Sequence, residues 1–495
     1  MGMTVTTDFQ TVRNKIAFAA VILKSVQARF GTMAGTGVRR LQPMMHRRAP
    51  IRVALALFVL FLAAPASAGA ITASGEARMR YETLDGQFRA GGSGGDQLLA
   101  FRTLLHLKAD IGPALVGVEF QDSRAYLDDS GTPLTTGYVN PFDVLQAYAR
   151  IAFPSPLGGQ TEATIGRMTL DIGSRRQIAR TNFGNVIKSH TGLYLRTKTD
   201  DGDELHLFVV SPVEQAPTDR DALGANEVAF DRERWRRWVW AAHYRRANAF
   251  PGLGKDIWAE AYLYGLNESD GAGLQTPNRR YVTPGFRLYR APARSAWDVD
   301  LEAAARFGER RATAAASDVR DLRVRAWTLH AAFGYTFDNP LALRLAVDFD
   351  QASGDKDPND GHVDQYESLF GARRTDLGNT SLHGPLAPAN LSAPGFRVEI
   401  APSARADARL AYKAASLASP TDGWVVAQLR DPTGRSGAFI GHAIDARARY
   451  WLIEKRLQAE IGASALIHGR FAREAPGAPA ADRTLFAYGQ LAAYF

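Results

Sequence analysis

A two-residue rhythm constrains this chain more than any other feature. In Leu341-Ala342-Leu343-Arg344-Leu345-Ala346-Val347-Asp348-Phe349-Asp350 the odd positions are Leu, Leu, Leu, Val and Phe, and the even positions are Ala, Arg, Ala, Asp and Asp. Side chains alternate faces along a strand, so one face is oily and the other carries charge. Segments of this kind recur to the final residue, Phe495. A water-soluble sheet can show the pattern. Many such strands behind an export leader describe something narrower, a barrel with lipid outside and water inside.

The leader is legible. An apolar run from Val53 to Pro65 follows His46, Arg47, Arg48 and Arg52 and precedes Ala66-Ser67-Ala68. A basic start, a short apolar stretch and a small-x-small exit make a secretory signal peptide over about 45–68, cut after Ala68. The run is too short for a membrane anchor. Residues 1–44 do not suit a leader and read as a mis-assigned start, with Met44 or Met45 as the true one. The expected domains are therefore a leader, 1–68, and one barrel, 69–495.

Composition alone conceals this. The 495 residues have room for several soluble domains, and 22% charged residues is ordinary for one. A barrel hides in such a composition because each strand is only half apolar. Beyond residue 70 no apolar run is long enough for a spanning helix. The first 68 residues hold nine of the 59 Lys and Arg but only one of the 51 Asp and Glu, so the remainder carries fifty of each. The basic balance of the whole chain thus belongs to the leader and gives no support for a nucleic-acid partner. Cysteine is absent. Disulfides cannot stabilise the exported chain, and a closed barrel needs none because its backbone is fully paired.

The alternation predicts eighteen strands near 72–82, 100–111, 114–126, 143–153, 161–168, 192–197, 204–210, 235–247, 254–266, 281–290, 296–308, 321–338, 340–351, 394–401, 404–415, 438–452, 455–469 and 483–495. The fold class is all-β, a single transmembrane antiparallel barrel. Tight turns at Asn339-Pro340, Pro402-Ser403 and Glu454-Lys455 alternate with long links such as 352–393 and 416–437. Short periplasmic turns and long extracellular loops are the barrel pattern. Trp327, Phe333, Tyr335 and Phe337, with Trp297 and Phe307, place aromatic girdles on the lipid face.

The opposite face is rich in arginine. The strands give Arg78, Arg80, Arg102, Arg344, Arg397, Arg409, Arg447 and Arg449, and the fifth strand with its following link adds Arg167, Arg175, Arg176 and Arg180. Guanidinium is always charged and its planar fork fits carboxylates. A ladder of such groups suits a polyanion that moves between weak sites. Asp298, Asp300, Glu302, Asp348, Asp350 and Asp445 share the face, so cross-strand pairing that stiffens a wet lumen is the competing reading. Residues 355–361 resemble a calcium loop, but glycine and glutamate each come one position late. Arg232, Arg234, Trp235, Arg236, Arg237 and Trp238 form a basic-aromatic cluster that reads as an interfacial strand end. No nucleophile elbow, phosphate loop or HExxH motif occurs. Ser381 and His383 are the only hint of a lipase-type pair, so no enzyme and no cofactor are expected.

The run Phe333-Gly334-Tyr335-Thr336-Phe337, then Asp350-Gln351-Ala352-Ser353-Gly354-Asp355 and Phe370-Gly371, resembles the C-terminal half of the alginate export family. Ala443 to Trp451 and Gly469-Arg470-Phe471 are similar to it too. The resemblance implies an eighteen-stranded outer-membrane barrel with an arginine-rich lumen that passes alginate, a polyuronate. On matching strands it carries over to Arg78, Arg102, Arg167, Arg344, Arg397, Arg447 and Arg449. The net-zero exported chain departs from a strongly cationic family pattern. The closing segment Leu485 to Phe495 resembles the C-terminal signal read by the barrel assembly machinery. Expected partners are an anionic polysaccharide or oligosaccharide, outer-membrane lipid, the assembly machinery and periplasmic export proteins. The alternatives are a general or sugar-acid uptake porin and, from another class, an outer-membrane enzyme or adhesion scaffold.

Overall fold

A computed structural model describes residues 71–495 except 253–255, 272, 373 and 379–381. The leader read from the sequence lies outside the described residues. The strands are β1 (Ile71–Asp85), β2 (Asp96–Ile111), β3 (Ala114–Tyr126), β4 (Asn140–Pro154), β5 (Gln160–Met168), β6 (His190–Lys198), β7 (Glu204–Glu214), β8 (Arg232–Glu233), β9 (Arg237–Arg246) and β10 (Ile257–Glu268). They continue as β11 (Arg280–Arg290), β12 (Ala296–Arg310), β13 (Leu322–Thr336), β14 (Arg344–Ala352), β15 (His362–Val363), β16 (Leu391–Ser403), β17 (Ala406–Ser416), β18 (Phe439–Ile453), β19 (Leu457–His468) and β20 (Arg483–Tyr494). β8 and β15 are two-residue pairings inside loops. The other eighteen form the barrel, each antiparallel to both neighbours.

The ring closes where β1 meets β20, in a register running from Glu76 opposite Tyr494 to Asp85 opposite Leu485. The Gly75 N–H also donates to the Phe495 carbonyl at 2.9 Å. Closure leaves no strand edge, which a hydrocarbon surrounding requires. All eighteen predicted strands are present, with ends displaced by at most four residues. The largest displacement at a tight turn is at β14. Leu341 to Leu343 continue the alternation but belong to the turn, where Ala342 has φ 45°.

The outer face is apolar and exposed. Phe333 and Val347, paired across β13 and β14, are 55% and 61% exposed. Four glycines on strands are covered by an aromatic ring of the residue directly opposite. These pairs are Gly117 with Tyr148, Gly265 with Trp240, Gly285 with Tyr262, and Gly462 with Tyr488. Any side chain at those positions would collide with the ring, so glycine is needed for the close approach.

Part of the inner face is unexpectedly apolar. Phe208 and Val210 on β7, Val239 on β9, Tyr264 and Leu266 on β10 and Val324 on β13 bury Leu170, Ile172, Ile178 and Tyr366 from two loops. The barrel therefore holds a protein core across one side of its long-loop half.

Gly265→Ala would put a methyl 2.0 Å from the Trp240 ring. We expect a loss of about 1–3 kcal/mol, read as a lower denaturant midpoint for refolding into lipid vesicles.

Candidate functional site

The segment 169–189, between β5 and β6, does not project outward. It crosses the lumen, and arginines from the wall hold its backbone. Arg78 donates to the carbonyls of Asn182 and Gly184 at 2.6 and 2.8 Å. Arg102 donates to the same two carbonyls at 3.0 and 2.9 Å and to Glu76 at 2.7 Å. Arg80 donates to the Phe183 carbonyl at 2.5 Å, pairs with Glu82 at 2.6 Å and lies 4.3 Å from the Phe183 ring centre. Backbone carbonyls offer two lone pairs, and a guanidinium fork can fasten a segment that has no ladder of its own.

The far end of the segment is fixed to the opposite wall. Arg176 binds Asp300 at 3.0 Å and Glu302 at 2.6 Å on β12, and Asp376 at 2.9 Å. Asp376 belongs to a second long link, between β14 and β16, which also folds inward. The two segments bond backbone to backbone. The Ala179 N–H donates to the Phe370 carbonyl, the Phe370 N–H to Gln177 and the Ala372 N–H to Arg175, at 3.1, 3.1 and 2.9 Å. Gln177 and the Tyr366 hydroxyl add a buried contact at 3.0 Å.

The remaining predicted arginines also have carboxylate partners. Arg167 pairs with Glu233 at 2.7 Å, Arg175 with Asp171 at 2.6 Å and Arg180 with Glu119 at 2.7 Å. Arg344 sits between Asp298 and Glu399, at 2.6 Å from each. Arg397 meets Asp348 at 2.8 Å, and Arg409 meets Asp445 at 3.2 Å. Lys413 bridges Asp348 and Asp350. Arg447 and Arg449 both meet Asp407, at 2.5 and 2.9 Å, and Glu460 stands opposite Arg449 across β18 and β19. The lumen is thus a woven pattern of both signs, and Arg78, Arg80 and Arg102 are buried against the inner segment.

Sequence reasoning missed the chamber beneath that segment. A polar cavity of about 530 Å³ lies toward the short turns, roofed by Thr169, Asp171, Gly173 and Ser174. Its walls combine Arg150, Arg196, Arg245 and Arg287 with Glu162, Glu204 and Glu260, and with the rings of Tyr194, His206, His243, Trp258 and Tyr289. Arg245 stands 4.2 Å from the Trp258 ring centre and Arg287 4.1 Å from that of Tyr289.

Other candidates resolve differently. In the 355–361 loop the Asp355, Asp357 and Asp360 carboxylates accept backbone N–H groups of residues two further on, as Asx turns do. His330, Asp350 and Asp376 converge, but Lys413 and Arg176 already bind the two carboxylates. Ser381 lies outside the described residues. Burial, with the Arg89 charge second, pushes His383 down to about 3, so it is neutral.

These features define a membrane-spanning β-barrel whose lumen is narrowed by its own loops, the architecture of an outer-membrane channel. The alginate export family model matches residues 70–486, and the chain belongs to that family. Solved structures agree on the fold. The Pseudomonas aeruginosa protein OpdK, crystallised with vanillate, superposes with TM-score 0.54 at 12% identity, covering 86% of this chain and 98% of that one. OccAB1 of Acinetobacter baumannii gives TM-score 0.54 at 13% identity, covering 88% and 98%. No curated protein matches the sequence. The barrel sits in the outer membrane, with its long loops outside the cell.

Removing Arg176 would leave Asp300, Glu302 and Asp376 without their shared cation. Breaking a buried pair costs about 3–5 kcal/mol, so Arg176→Ala should loosen the far end of both inner segments while the clamp of Arg78 and Arg102 still holds the near end of 169–189. We expect higher single-channel conductance and new protease cuts within 169–189.

A second test uses pH. Asp231, in the link between β7 and β9, accepts from the Ala216 N–H at 2.9 Å and from Asn140 at 2.7 Å. Burial, reinforced by the Asp143 charge, pushes its carboxyl up to about 7. A raised carboxyl favours the folded loop while protonated. Its contribution is complete below the ordinary carboxyl range and is lost as pH rises through 7. Hydrogen exchange in 214–233, corrected for its intrinsic pH dependence, should speed up between pH 6 and 8, and Asp231→Asn should abolish that change.

Proposed function

We propose that the protein is a passive channel for acidic saccharides, from sugar acids to short uronate oligomers. The observation that carries this reading is the 169–189 segment fastened to both walls of the lumen. With the segment in place, solutes pass around it and through a chamber sized for a few sugar rings. The walls alternate guanidinium and carboxylate, so a hydroxylated acid can exchange hydrogen bonds with both. Each arginine is already shared, which keeps every site weak enough to leave. No cofactor and no covalent step are invoked. Residues 45–68 serve in this reading as a leader removed during export.

Family membership favours a second reading, export of a whole polyuronate. A polymer would need both inner segments to swing out, so the two readings separate experimentally. In a planar bilayer, the wild-type channel should be blocked by short oligouronates. Long alginate should enter only when the Arg176 anchor and the clamp of Arg78 and Arg102 are removed together. Equal entry of the long polymer into the wild type would favour export instead.

Arg447 and Arg449 supply the positive charge of one stretch of wall, beside Asp407 and opposite Glu460. Replacing both with Ala removes two cations and leaves the carboxylates of Asp407 and Glu460 on that stretch. The anion-to-cation permeability ratio, from reversal potentials in a salt gradient, should fall several-fold while heat-modifiable gel mobility stays normal. An unchanged ratio would remove these residues from the selectivity role.

A further inference from the structure

Charged side chains on the lipid-facing surface of a barrel are costly near the hydrocarbon and tolerable at headgroup height. The long-loop ends of β9, β11 and β13 carry an unusual number of them. Arg236, Arg280, Arg323 and Arg325 are all exposed. The register fixes their height. Arg325 is opposite Phe307, and Phe307 is opposite Val282. Phe307 and Val282 are 49% and 39% exposed and belong to the aromatic and aliphatic outer face. Trp327, also outward, stands two residues further toward the membrane. Arg325 is therefore level with the girdle. The next row out, about 7 Å higher, is Arg280, Glu309 and Arg323, in paired register.

The protein supplies too few anions for this row. Glu309 and Asp321 both serve Arg280, at 3.4 and 3.1 Å. Arg236, Arg323 and Arg325 form no ion pair among the described residues. Most inner arginines meet carboxylates, and the buried Arg306 donates instead to the Thr283 hydroxyl and the Glu367 carbonyl, whereas Arg323 and Arg325 are exposed at the girdle with neither. Guanidinium cannot shed its charge, and its fork matches phosphate oxygens. Trp235 and Trp238 flank Arg236 with ring centres 5.5 Å apart, the kind of amphipathic rings that settle at headgroup level.

We infer that this face is a binding site for the phosphate groups of a phosphorylated glycolipid in the outer leaflet, held by Arg323 and Arg325 on β13. Its chemistry is charge complementarity at a fixed depth. The site lies outside the lumen and is independent of what the channel carries.

The test is native mass spectrometry of the detergent-purified protein with added bisphosphorylated lipid A, with the same lipid stripped of its phosphates, and with inorganic phosphate as competitor. We expect wild-type protein to retain lipid A in preference to the dephosphorylated form. Arg323→Gln with Arg325→Gln should lower retention about tenfold, the effect of losing a charge-assisted contact. Arg236→Gln, on the far side of β10 to β12, should change retention little, and all variants should keep normal conductance. Equal retention by the double variant would overturn the inference. So would equal binding of the dephosphorylated lipid, or displacement of lipid A by millimolar inorganic phosphate.

Discussion

Hydrocarbon offers no partner to a peptide N–H or carbonyl, and every other feature of this protein follows from that constraint. The seam between β1 and β20 removes the last free strand edge. Once the ring is shut, each strand has one face for lipid and one for the interior. The interior must then be filled by water or by protein, and here it is shared. Against β7 to β13 it is filled by apolar side chains that bury the inner segments. Elsewhere it is lined with charge.

The charge comes in pairs for a related reason. A lumen walled by low-dielectric material penalises an isolated ion and rewards a nearby opposite one. The net-zero balance beyond residue 68 is the bulk sign of that pairing, and the Arg344 cluster with Asp298 and Glu399 is its local form. The exceptions then carry information. The exposed, unpaired Arg323 and Arg325 of β13 face outward, where lipid can supply the anion.

The barrel was readable because a period of two survives in nearly every strand. Strand ends were less so. Leu341 and Leu343 alternate correctly yet lie in a turn, since a residue at the girdle can be apolar without being in a ladder. The two-residue pairings β8 and β15 leave no periodic trace. The lumen was read only in part. The arginines were located, but their partners depend on register between strands distant in sequence. The clamp on Asn182, Phe183 and Gly184 uses backbone carbonyls, which no residue type announces. One signal was present in the sequence. Trp238-Val239-Trp240-Ala241 and Tyr262-Leu263-Tyr264 are apolar on both faces, as strands covered on both sides must be. That marks where the interior is protein instead of water.

The glycine–aromatic pairs have a geometric consequence. A strand that slid along its neighbour would bring a ring against a Cβ instead of a glycine, so each pair acts as a detent. The stagger accumulated around a closed sheet is its shear, and with strand number it determines tilt and diameter. Four detents on separate seams, at Gly117, Gly265, Gly285 and Gly462, therefore hold the bore of the cylinder constant. Its calibre is set by the absence of side chains at those four positions as much as by anything that lines the hole.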